Sequence, residues 1–101
     1  MEKTFVVRGT NLTIHMPKEL DHHHAEEIKK EADHLLETRN IRSIIFDFEK
    51  TSFMDSSGIA VVMRVRQRVR DLGGAVTLRG VRPQARKVLD AAGLDRFVTV
   101  E

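Results

Sequence analysis

Apolar residues recur along this chain at two intervals, two and three-to-four, and the order in which those intervals alternate limits the fold. The run Phe5-Val6-Val7, within Thr4 to Arg8, is apolar and β-rich. Gly9-Thr10-Asn11 follows with turn chemistry, and then Leu12, Ile14 and Met16 alternate with Thr13 and His15. Two such runs joined by turn residues predict a hairpin. Pro17 has no amide hydrogen to give a ladder and ends the second strand. The spacing then changes. Ala25, Ile28, Ala32, Leu35 and Leu36 form one helical stripe, opened by Asp21 as N-cap and closed at Asn40. The run Ile44 to Phe48 carries few polar residues, as expected of a strand covered on both faces. A second helix is predicted from about Ser57 to Leu72. Gly58, Val62, Val65, Val69 and Leu72 face the sheet, Val61 lies at the margin, and Gly73-Gly74 supplies a left-handed stop. Ala75 to Arg79 reads as a strand. Arg82-Pro83 opens a third helix, whose apolar face is Ala85, Val88, Leu89 and Ala92 and whose end is Gly93. Phe97 to Val100 reads as the last strand.

The resulting order is β-β-α-β-α-β-α-β. It predicts one α/β domain, a mixed but mostly parallel sheet packed by helices. At 101 residues, with no repeat, linker or low-complexity stretch, the chain holds one core.

Composition removes several functions. There is no cysteine, which excludes disulfides, thiolate chemistry and cysteine-based zinc sites. All of the 5% aromatic share is Phe, too sparse for a base-stacking platform. No run approaches the ~20 apolar residues of a membrane helix. Met1-Glu2-Lys3-Thr4 has no apolar core like that of a signal peptide, so the expected location is the cytoplasm, with no membrane partner. The net charge is only +2 but unevenly placed. Acids are dense from Glu19 to Asp33, and bases dominate from Arg64 to Lys87. The basic half reads as a solvated surface or a docking face for an acidic protein. No nucleic-acid reading motif accompanies it, so no nucleic-acid partner is expected.

Between the central strand and the second helix lies Phe53-Met54-Asp55-Ser56-Ser57-Gly58-Ile59-Ala60. Asp and Ser are preferred helix N-caps, because their oxygens accept the unpaired amides of the first turn. The partial positive charge of a helix start also tolerates an added anion. One of the two hydroxyls is therefore expected to be exposed and suited to carry phosphate. Ile59, Met63, Arg66 and Arg70 form a second stripe on the same helix, about 100° from its core face. This apolar pair continuing into arginines has the character of a protein-binding strip.

Other chemistry fits less well. His22-His23-His24 suggests a metal, but adjacent residues diverge on a helix. Only Asp21 and His24 converge, and two ligands do not make a site. Asp55-Ser56 lacks the Gly-x-Ser-x-Gly of a hydrolase elbow, since Met54 stands at the first glycine position. Gly73-Gly74 lacks the Gly-Lys of a phosphate loop. No enzyme activity and no cofactor are expected.

Ser52-Phe53-Met54-Asp55-Ser56-Ser57-Gly58 resembles the phosphorylation loop of STAS-domain anti-sigma factor antagonists. Leu20-Asp21-His22-His23 with Ala25-Glu26, Val81-x-Pro83 and Ala92-Gly93-Leu94 extend the likeness over nearly the whole chain, closest to the sporulation anti-sigma F branch. The resemblance implies a partner: an anti-sigma factor that is also a serine kinase, with ATP or ADP bound. The unphosphorylated antagonist would bind it and release a sigma factor. Phosphorylation of Ser56 by that kinase would end binding, and a PP2C-type phosphatase would restore it. It also places Asp21 near the partner contact. Asp21, Asp55, Ser56, Ser57, Gly58, Ile59, Met63 and Arg66 are thus the candidate partner-binding residues, with Ser57 the alternative phosphosite. Lys18 stands where the family often has Gly, Ala60 where Gly is usual, and His24 where Thr is common. A scaffold role in a signalling or lipid-transport assembly, without a phosphate cycle, is the other reading.

Overall fold

Gly9, at φ +62°, turns the chain between β1 (Phe5–Arg8) and β2 (Asn11–His15). The computed structural model describes residues 4–101, so the first three residues of the N-terminal segment read above lie outside the described residues. The further elements are β3 (Glu19–Leu20), α1 (His22–Thr38), β4 (Ser43–Asp47), β5 (Phe53–Met54), α2 (Ser56–Asp71), β6 (Ala75–Arg79), α3 (Pro83–Ala91), a 3₁₀ turn (Leu94–Arg96) and β7 (Thr99–Val100). β1 and β2 pair antiparallel as the expected hairpin. β2–β4, β4–β6 and β6–β7 are all parallel, in the order β1-β2-β4-β6-β7. The mixed, mostly parallel sheet of the sequence reading is the observed one.

Its two faces differ. Leu12, Ile14, Ile44, Phe46, Val76 and Leu78 are buried in a single core with Ala25, Ile28, Ala32 and Leu36 of α1 and Val62, Val65 and Val69 of α2. The residues alternating with them, Thr13, Ile45 and Thr77, are only half-buried. β4 is therefore covered on one face, not both as its composition suggested. On the open face His15, Asp47 and Arg79 stand side by side on β2, β4 and β6. Asp47 is buried and paired with His15 Nδ1 at 3.2 Å and Arg79 at 3.0 Å.

Several ends shift. α1 stops at Thr38 with Arg39 as C-cap, rather than at Asn40. α2 starts one residue early, at Ser56. Leu72, assigned to its core face, is 49% exposed, because the helix ends at Asp71 and Gly73 (φ +77°) turns the chain away. Val61, placed at the margin, is buried. Ala92 is exposed, since α3 stops at Ala91 and the chain reverses at Gly93. The last strand shrinks to two residues, with Leu94 of the 3₁₀ turn filling the core and Phe97 left outside.

Candidate functional site

Two short strands absent from the sequence reading build the site. β3 and β5 form a separate parallel ladder, pairing Glu19 with Phe53 and Leu20 with Met54. The next residue on each strand is an aspartate, and each aspartate caps a helix. Asp21 accepts from the His24 amide at 3.0 Å, and Asp55 from the Ser57 amide at 2.8 Å. The Asp55 amide itself donates to the Leu20 carbonyl at 3.4 Å. The ladder thus sets the starts of α1 and α2 side by side, with two partial positive ends facing one surface.

Below that surface the packing is tight. Leu20 and Met54 are fully buried. A Cβ on Gly58 would lie 2.7 Å from Met54 Cγ and 2.8 Å from Leu20 Cδ2, so glycine is what lets the first turn of α2 sit down on the ladder. From α3, Gln84 Oε1 accepts the Met54 amide at 2.8 Å while its Nε2 donates to the Met54 carbonyl at 3.1 Å. Thr51, also buried, donates to the Pro17 carbonyl at 2.8 Å and ties the approach to β5 to the end of β2.

On top of this support Ser56 is exposed, while Ser57 is half-buried with its amide engaged by Asp55. Phe53 beside them is 44% exposed. The amide and imidazole of His24 hold the Asp21 carboxyl below its ordinary range, the amide bond being the larger influence. That carboxylate therefore stays charged wherever the domain is folded at neutral pH.

The structure brings Asp21, Asp55, Ser56, Ser57 and Gly58 together. It places the helical strip differently. Ile59 and Met63 are half-buried against the core. Arg66 turns to the far end of the molecule, its guanidinium 5.1 Å from the centre of the Phe97 ring and its Nε donating to the Phe97 carbonyl at 3.2 Å. The histidines are used locally: His23 lies 3.2 Å from Glu27, and His24 bonds Asp21. Sequence reading missed Gln84 and Phe53. Gln84 acts across 30 residues and carries no local signal. Phe53 shows outward only once Met54 is known to point inward, and a two-residue strand is too short to display that alternation.

A mixed five-stranded sheet with one open face, packed by helices on the other, defines the class of a STAS-type fold, and here an exposed serine opens α2 beside a second capped helix start. The STAS domain family model matches residues 2–101, and the chain belongs to that family. The anti-sigma F factor antagonist of Lysinibacillus sphaericus is 32% identical over 89 residues, 88% of this chain and 76% of that protein. The solved anti-sigma factor antagonist SpoIIAA in its unphosphorylated form is 30% identical, with a TM-score of 0.86 over 96% of this chain and 87% of that one. The phosphorylated form of the Bacillus cell fate determinant SpoIIAA gives a TM-score of 0.77 over 96% of this chain and 90% of that one, also at 30% identity. Among the described residues no helix is long and apolar enough to cross a membrane.

Proposed function

We propose that this chain is an anti-sigma factor antagonist switched by phosphate on Ser56. Its unphosphorylated form binds an anti-sigma factor that is also an ATP- or ADP-bound serine kinase, and so frees a sigma factor. The kinase then modifies Ser56, and a PP2C-type phosphatase resets it. The observation that carries this reading is the exposed Ser56 on the first turn of α2, directly after the capping Asp55 and over the ladder that brings the start of α1 beside it.

A phosphoserine brings about −1.5 to −2 charge at neutral pH. At a helix N-terminus the fold accommodates that charge. Likeness to SpoIIAA in both its forms supports this, since a backbone of this kind exists in either state. The effect falls on the partner instead. Asp21 and Asp55 already place two negative charges there, and the phosphate nearly doubles the negative charge that faces any carboxylate docked on the surface. Adding an unpaired charge to a desolvated contact costs about 2–5 kcal/mol. That is roughly thirtyfold to several thousandfold in affinity, enough for a switch. Phe53, Ile59 and Met63 supply the apolar part of the contact, and Gly58 seats the turn that carries it on the ladder beneath.

The test is mass spectrometry after incubation with ATP and the serine-kinase anti-sigma factor of the same organism. Phosphate on Ser56, absent from Ser56→Ala, is expected. Modification of Ser57 with Ser56→Ala still labelled would move the switch to the neighbouring hydroxyl. A chain that binds the kinase yet stays unmodified would instead be a scaffold.

A further inference from the structure

Arg70 lies about 21 Å beyond Ser56 along α2, at roughly 1.5 Å per residue, and belongs to a different surface. There Arg66 and Arg70 of α2, Arg96 and Phe97 of the turn before β7, and Thr99 of β7 line a cleft of about 520 Å³. Asp95 is its one carboxylate, so three arginines less one aspartate leave +2 within the cleft.

These arginines differ from four others of the basic half. Arg64 pairs with Asp33, Arg68 with Asp33 and Glu37, Arg79 with Asp47, and Arg86 with Asp90. Arg70 and Arg96 have no ion-pair partner among the described residues. Arg66 is fixed by Phe97, which leaves the ring 46% exposed as an apolar wall beside two free guanidinium groups. The lining is more polar than apolar and open to solvent, unlike the largely apolar enclosure of a small-molecule pocket.

We propose that this cleft binds an acidic peptide segment of a partner protein, with carboxylates on Arg70 and Arg96 and an apolar side chain against Phe97. Charge complementarity selects the occupant, since guanidinium forks match carboxylates in geometry as well as sign. A second copy of this chain is a poorer fit. Four of the six carboxylates of its acidic stretch are engaged at home, Asp21 with His24, Glu26 with Lys29, Glu27 with His23 and Asp33 with two arginines, which leaves Glu19 and Glu31. This assignment does not depend on the phosphate switch.

The experiment is an NMR titration of the full chain with a synthetic peptide of Glu and Asp around a single Leu. Shifts concentrated at Gly74, Val76 and Arg96 to Thr99 are expected. The dissociation constant should rise at least about tenfold in Arg70→Glu/Arg96→Glu, and fall back toward wild type in Arg70→Gln/Arg96→Gln. A similar weakening is expected in about 0.5 M salt. Binding by Ser56→Asp should equal wild type, which separates this site from the switch. The thermal unfolding midpoint of each variant reports its folding. Shifts spread over the whole basic half, or undiminished binding by folded Arg70→Glu/Arg96→Glu, would overturn the proposal. So would inorganic tripolyphosphate binding more tightly than the peptide at the same residues. A peptide-free dimer abolished by Arg70→Glu would likewise overturn it, in favour of a second copy.

Discussion

Gln84 bonds both backbone polar groups of Met54, taking the place of a third strand beside the two-stranded ladder under the site. Its amide presents an acceptor to the Met54 N–H and a donor to the Met54 C=O, the pattern a neighbouring strand would offer. Met54 is 1% exposed, so without Gln84 these groups would have neither protein nor bulk water. The same contact fixes α3 to the loop that presents Ser56.

Gln84→Ala should therefore destabilise the domain by about 1–3 kcal/mol, the range for two hydrogen bonds lost with buried groups left unpaired. Gln84→Glu keeps the acceptor and loses the donor, and should lie between. Denaturant unfolding measures the loss. Hydrogen exchange at the Met54 amide should accelerate more than at the core strand β4.

Asp55→Ala removes the cap of α2 and should cost about 1 kcal/mol, with Asp55→Asn close to wild type because an amide oxygen also caps. Chemical denaturation checks both. If negative charge at this surface is what opposes the proposed partner kinase, Asp55→Asn, which drops the charge and keeps the cap, should bind it more tightly than wild type.

Gly58→Ala has opposing effects. Alanine favours helix by up to about 1 kcal/mol over glycine. Its methyl group would meet Met54 Cγ and Leu20 Cδ2 inside 3 Å, and overpacking typically costs about 1–3 kcal/mol. Both neighbours are buried and cannot swing out, so a net loss of about 1 kcal/mol is expected in thermal or denaturant unfolding. A crystal structure of the variant should show the start of α2 lifted from the ladder.

Asp47 sets an acid limit. Burial alone pushes its carboxyl up, but the Glu49 amide, the Arg79 guanidinium and His15 together hold it below its ordinary value of 3.8. A carboxyl depressed in the folded state adds stability above the unfolded value, and that stability is lost as pH falls through the folded value. Wild type should lose stability below about pH 4, and Asp47→Asn should flatten that limb while lowering stability at neutral pH by about 1–3 kcal/mol. Circular dichroism of denaturant unfolding at several pH values tests both parts.

The hairpin, the three helices and the sheet class were legible because period and turn chemistry are local signals. Asp21 was legible as a cap for the same reason, since capping needs only the next three residues; at the second helix capping chemistry left Ser56 and Ser57 open, and the resemblance chose Ser56. What failed was non-local. The open face of the sheet depends on where the helices pack, and Ile45 looks no different in sequence from Ile44. Leu72 fits a helical wheel but falls after the helix has ended. Arg66 shares a stripe with Met63, yet its guanidinium follows Phe97, which is 31 positions away. Resemblance supplied the rest of the proposed function; spacing alone would have left a serine at a helix start without a partner.

The rungs joining Leu20 to Met54 have a mechanical consequence. A partner pressing on Ser56 would not meet a free hinge, because any tilt of that turn must carry the head of the first helix with it. Length changes between Met16 and Leu20 should therefore misplace the proposed phosphoacceptor although they lie far from it in the chain, and any protein that docks on that serine reads two helices at once.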